Sequence, residues 1–352
     1  MDATPGPFGH YPALMRTLEI VHRTRYEYSE PVTLGDHRLM FRPRDSHDLR
    51  LLHTGLAIEP AAQVRWIHDP FGNSIAIASF DGPTQVLELV STIQLEHFGV
   101  PPELPPIEEF ARTLPFSYAA EEAPDLARYV ERSYPDPSSI VGPWTKQFME
   151  GEGGNDTFEL LKRLCMGIQQ KLKYAMRFEI GTQVPAVTLE SGGGTCRDYA
   201  LLMIECCRSL GLAARFITGY LYDPALDAAP GEATTHAYPH AWMEVYLPGA
   251  GWVEFDPTNG IIGSERLIRV AVGRDPEQAM PIKGTFTGPP EVTVNASVDV
   301  QVHTLSPAPL PDPAVPLQTD LQAPVPASPP ALAPMAPQAD PSAAEPVPAQ
   351  AL

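Results

Sequence analysis

Three consecutive glycines, Gly192-Gly193-Gly194, run directly into Thr195-Cys196-Arg197-Asp198-Tyr199 and then into a helical pattern. Few folds can use such a junction. Glycines let the backbone turn tightly and admit another group close to the chain. The helix that follows sets Cys196 at its N-terminal end. Unpaired N–H groups and the helix dipole there favour a thiolate and can bind a developing oxyanion. A buried free cysteine before a helix is the structural alternative, and this stretch alone leaves both readings open. Residues 197–210 continue with Ala200, Met203 or Ile204, Cys207 and Leu210 facing inward, and Gly211 is a natural stop.

The next segments narrow the choice. Ala213 to Tyr222 reads as a strand and Asp223 to Pro239 as a polar loop. His240 to Leu247, then Pro248-Gly249-Ala250-Gly251, then Trp252 to Phe255 carry a β-hairpin pattern. Such a hairpin sets His240 beside Asp256. A carboxylate in that place fixes the imidazole tautomer and stabilises the imidazolium. An imidazole facing a thiol raises the thiolate fraction and later protonates a leaving amine. Singly, these are a strand histidine and a turn aspartate before Pro257. Together, with Trp242 and Trp252 on the hairpin, Cys196, His240 and Asp256 predict a nucleophile, its base and an orienting acid. His236 is a near neighbour without the same local context.

Residues 1–15 are expected to form a flexible extension, with Met15 an alternative start, and show no signal-peptide pattern. From Thr17 the period is two, with Leu18, Ile20, His22, Thr24, Tyr26 and Tyr28 on one face. Strand-like runs follow at Leu51 to Ile58, Val64 to His68, Ile75 to Phe80 and Gln85 to Glu96. Asp69-Pro70-Phe71-Gly72-Asn73-Ser74 and Asp81-Gly82-Pro83 mark turns between them. Residues 16–98 are therefore predicted to be a β-sandwich-like domain. Its histidines are scattered and read as structural.

A Pro-rich linker, 99–150, is expected to pack on the next domain through Phe110, Leu114, Phe116, Tyr118, Tyr134 and Trp144. Helix pieces are predicted at Glu108 to Arg112 and Ala123 to Ser133. The core domain is assigned to 151–303. It opens with a helix over Asp156 to Lys173, capped by Asp156, whose apolar stripe makes Cys165 a core residue. Glu179 to Ser191 reads as a loop. Alternating valines from Val292 to Val302 supply last strands. From 304 to 352 there is no Lys, Arg or aromatic residue, and Pro and Ala dominate. That tail is expected to be disordered.

The net charge of −19 argues against a nucleic-acid surface, and no apolar run approaches the ~18 residues of a membrane span. Of the four cysteines, Cys206 and Cys207 are adjacent and none has zinc-type spacing. They lie ~15 Å along the helix from Cys196, beyond disulfide reach. Reduced thiols of a cytoplasmic protein are expected, with no metal or cofactor.

Gly-Gly-Gly-Thr-Cys-Arg-Asp-Tyr-Ala, Leu-Gly-Leu-Ala-Ala-Arg-Phe-Ile-Thr-Gly-Tyr, His-Ala-Trp-Met-Glu-Val-Tyr and Gly-Trp-Val-Glu-Phe-Asp-Pro-Thr together resemble the transglutaminase-like superfamily core. Residues 17 to 97 resemble the N-terminal region that accompanies this core in bacterial members. The resemblance covers about residues 16 to 303. It implies an α+β chain: a β-sandwich-like domain, then a papain-like cysteine-enzyme core with Cys196 as nucleophile, His240 as base and Asp256 as orienting acid. Tyr174 is an oxyanion candidate, with a core tyrosine the alternative reading. No calcium-site pattern is present. The implied activity is acyl transfer or hydrolysis on glutamine side chains or peptide bonds, with a protein or peptide substrate and a primary amine or water as acceptor. A catalytically idle peptide-binding module is the alternative.

Overall fold

The computed structural model describes residues 15–98, 106–149, 155–175, 181–222, 235–236, 238–264 and 266–305. The expected extension before Met15, most of the loop between Asp223 and Pro239, and the tail from residue 306 lie outside these.

Six strands open the chain: β1 (Met15–Leu34), β2 (His37–Arg42), β3 (Leu49–Glu59), β4 (Ala62–His68), β5 (Ser74–Phe80) and β6 (Pro83–Phe98). Short helices α1 (Ala123–Val130) and α2 (Val141–Lys146) follow, then α3 (Thr157–Lys171), α4 (Pro185–Ser191) and α5 (Cys196–Ser209). Strands β7 (Ala214–Leu221), β8 (Tyr238–Leu247), β9 (Gly251–Asp256), β10 (Leu267–Gly273) and β11 (Val294–Leu305) complete the larger elements. Among the described residues no helix is long and apolar enough to cross a membrane.

These strands form three principal sheets. The first runs β11-β1-β6-β3; the second is β2-β5-β4, extended by Ile282–Lys283; the third is β9-β8-β7-β10, extended by Ile261–Ile262. Strand β1 is long because it serves two cores. Leu18 and Ile20, with Ile93 and Leu95 of β6, pack on Tyr220, Tyr222, Ile268 and Val270 of the third-sheet region. Tyr28, Val32 and Leu34, with Leu87 and Leu89, pack instead on Leu39, Phe41, Ala76 and Ala78 of the second sheet. The period-two face predicted for β1 is this buried face. Between the two cores His22 bonds Tyr220 Oη at 2.9 Å and Thr24 Oγ1 at 3.0 Å. Burial lowers its pKa to about 4, in spite of nearby Asp299, so it packs as a neutral ring.

One face of the third sheet, with Phe216, Ala241, Met243, Val245 and Phe255, packs on α5 and α3 through Leu202, Met203, Cys206, Leu161 and Cys165. Each fully buried Val, Leu, Phe or Met among these contributes roughly 1.5–3 kcal/mol. Asp156 caps α3, accepting from Glu159 N at 2.8 Å.

Four features depart from the sequence reading. Strand β11 pairs with β1 from Leu305↔Thr17 to Val294↔Tyr28, so it completes the sandwich sheet instead of the core domain and runs two residues past the expected boundary at 303. Only a partner at the opposite end of the chain decides this; local alternation is blind to it. Strand β2 was not read as one. The predicted loop before Ser191 contains α4, with Pro185 at its first turn and Gly192 at its end. Phe110 of the linker is exposed, whereas Leu114, Phe116 and Trp144 do reach the core.

Candidate active site

The glycine run has a separate reason at each position. Gly192 takes φ 71° and closes α4 in the left-handed region. Gly193 lets the chain pass over the Lys173 carbonyl, where any Cβ would collide. A Cβ on Gly194 would stand 2.8 Å from Asp198 Cβ. Lys173–Tyr174 pairs in parallel with Gly193–Gly194, and Ala175 N donates to Gly194 O at 3.0 Å. Asp198, three residues into the following turn, accepts from Thr195 N (2.8 Å), Thr195 Oγ1 (2.9 Å) and Gln183 N (2.7 Å). The start of α5 is thereby fixed from both sides, and Cys196 is its first residue, half-buried and free.

The hairpin β8–β9 supplies the other two groups. His240 lies in β8 and Asp256 ends β9, and His240 Nε2 lies 2.8 Å from Asp256 Oδ2. With Nε2–H donating to that carboxylate, Nδ1 is left for the thiol. Asp256 Oδ1 accepts from Thr258 N at 2.9 Å, and Asn259 Nδ2 donates to Oδ2 at 2.7 Å. Burial pushes the Asp256 carboxyl up, but the His240 charge and these hydrogen bonds outweigh it and hold the group below its usual range. Burial likewise pushes the His240 ring down. The Asp256 charge and hydrogen bond, followed by the hydrogen bond and charge of Cys196, outweigh that and raise the ring to about 10. The arrangement therefore favours an imidazolium held against the Asp256 carboxylate.

Residues 18–96 match the family model described as the bacterial transglutaminase-like N-terminal region, and residues 144–257 match that of the transglutaminase-like superfamily core. An uncharacterised protein of Mycobacterium tuberculosis is 31% identical over 300 residues, covering 80% of this chain and 91% of its own. The chain belongs to the transglutaminase-like superfamily. A protein-glutamine gamma-glutamyltransferase of Pseudomonas aeruginosa is 34% identical over 70 residues, 20% of this chain and 10% of that one. Among solved structures, a "Putative Cysteine Protease from Cytophaga hutchinsonii" shares the fold. Its TM-score is 0.63 at 17% identity, with 84% of this chain and 92% of that chain covered.

In this transglutaminase-like chain His240 and Asp256 are hydrogen-bonded, and Cys196 is near enough to act on the His240 ring. His236 instead lies in a short strand paired with β11, His236 opposite Gln301. Tyr174 is 50% exposed, so the core-tyrosine reading does not hold. Its ring meets Tyr199 edge-on at 6.4 Å. Burial first, then the charge of Cys196, raises its phenol, which stays a hydrogen-bond donor. Asn259 was missed. An amide three residues after Asp256, within an Asp-Pro-Thr-Asn turn, was the available signal.

Proposed function

We propose that the protein is a thiol enzyme acting on amide bonds through an acyl-enzyme. The Cys196 thiolate adds to the amide carbonyl, and the C–N bond breaks as imidazolium His240 gives its proton to the departing nitrogen. Water or a primary amine then attacks the thioester, returns a proton to His240 and releases the thiolate. Asp256 holds the ring in the required tautomer, and Asn259 holds Asp256. The free N–H of Cys196 and the phenol of Tyr174 are the donors for the oxyanion.

The observation that carries this reading is the His240–Asp256 pair at 2.8 Å, with Cys196 at the first turn of α5 among the groups that act on the His240 ring. The stretch shared with the P. aeruginosa protein makes glutamine side chains the first acyl donors to try, with backbone amides the second. Four free cysteines are in keeping with a cytoplasmic setting. The test is a mass-spectrometric screen of peptides with and without a primary amine. Loss of ammonia with water uptake, amine incorporation and backbone cleavage each give a distinct mass change. All should vanish in Cys196→Ala, and turnover that persists in that variant ends the proposal.

A further inference from the structure

The turn Asp69–Asn73 belongs to the sandwich, yet it is built into the third sheet. Asn73 is buried, and its side-chain amide makes a reciprocal pair of hydrogen bonds with one residue of β10. Asn73 Nδ2 donates to Val272 O at 2.6 Å, and Val272 N donates to Asn73 Oδ1 at 2.9 Å. A single side chain thus acts as a strand partner for the outer edge of that sheet. The turn itself is internally fixed. Asp69 accepts from Phe71 N (2.9 Å), Asn73 N (2.8 Å) and Asn73 Nδ2 (2.9 Å), and Gly72 takes φ 75°.

This clip delivers Phe71 onto a small cluster formed by Ile217, Trp242, Leu267 and Val272. Trp242 is the member that matters. It is fully buried, and its ring lies 6.0 Å from that of His240 at an interplanar angle of 20°. The sheet beneath it has no slack, since a Cβ on Gly219 would stand 2.7 Å from Trp242 Cη2. Gly219 supports the indole from the sheet, His240 lies along it, and Phe71 comes from outside the core.

We propose that the Asp69–Asn73 turn is a positioning element for His240: Asn73 clips it to Val272, and Phe71 holds Trp242 against the imidazole. The inference rests on the proposed role of His240. Phe71 packs on the cluster that contains Trp242, and it acts on His240 only through that cluster. Dense interiors transmit a lost ring as a shift of its neighbours, and a ~1 Å misplacement of a catalytic group can cost about 10²-fold in rate.

The test is a graded pair, Phe71→Leu and Phe71→Ala, with Phe80→Ala as control, because Phe80 packs in the sandwich core away from Trp242. Two quantities are read on the full chain: the NMR signal of the His240 N–H bonded to Asp256, in isotope-labelled histidine, and the iodoacetamide labelling rate of Cys196 at near-neutral pH. Phe71→Ala should displace or broaden the N–H signal and slow labelling roughly ten- to hundredfold. Phe71→Leu should do both in smaller measure, and Phe80→Ala should do neither. A folded Phe71→Ala with the wild-type signal and rate overturns the proposal. If that variant does not fold, an unchanged signal in Phe71→Leu overturns it equally. A wild-type Cys196 that resists labelling would refute the proposed chemistry instead, while the N–H series still decides the role of the turn.

Discussion

The two ends of α5 carry the same side chain in opposite surroundings. At the first turn Cys196 is half-buried and free, and it is among the groups that act on the His240 ring. One helix length away Cys206 and Cys207 are fully buried. Burial pushes the Cys206 thiol up to about 12 and Cys207 well above its usual value, because a thiolate there would be desolvated. The charges at that end are consumed by packing. Arg208 donates to Glu205, Asp275, Ser133 and the carbonyls of Tyr129, Ala214 and Arg274. The setting of a sulfur in this helix is thus decided by its neighbours, and counting cysteines says nothing about it.

The contrast can be broken in steps, the largest first. Cys196→Ala should abolish turnover, whereas Cys206→Ala should leave it intact; equal loss in both would erase the distinction between the ends. Asp256→Asn should keep the fold and lower kcat by on the order of 10⁴-fold by stranding the ring in the wrong tautomer, measured as single-turnover rates. The third effect is on stability. His240 is raised from 6.5 to about 10 in the folded chain. Its proton therefore stabilises the fold fully below ~6.5, and that contribution fades as pH climbs to about 10. Urea midpoints of wild type minus His240→Gln should fall across that window by a few kcal/mol of stability. The buried thiols, also raised, weaken both chains alike above ~8.5 and cancel in the difference. Tyr174→Phe should cost roughly 10–10²-fold in kcat with little change in KM if the phenol serves the oxyanion. The smallest effect belongs to the far end: Cys207→Ala should remove only packing, about 1 kcal/mol by thermal melting, with labelling of Cys196 unchanged.

What the sequence disclosed and what it withheld divide along the reach of the interaction. Helix α5, its terminal cysteine and the hairpin that pairs β8 with β9 rest on glycines, caps and alternation within a few residues, and these were legible. So was the buried face of β1. Helix α4 was legible in principle, since Pro185 and Gly192 bracket it, but the glycine run drew it into a loop. Strand β11 was misplaced because its partner is chosen by a sheet assembled from the opposite end of the chain. The exposure of Tyr174, on a two-residue strand paired with Gly193–Gly194, is announced by no periodicity in the sequence. The bond between Asn73 and Val272 spans 199 positions and could not have been read at all.

The pairing of β1 on both edges, with β6 on one side and β11 on the other, has a consequence for how the chain is made. Every strand of the third sheet is encoded between those two partners. A ribosome adding ~5–20 residues per second needs on the order of 10–40 s to pass from β6 to the end of β11. For that interval the nascent chain presents an unsealed strand edge, the kind of surface that invites pairing with a neighbour. The sandwich is sealed only after Cys196, His240 and Asp256 have all left the exit tunnel, so a stalled translation product would carry all three without ever closing its first sheet.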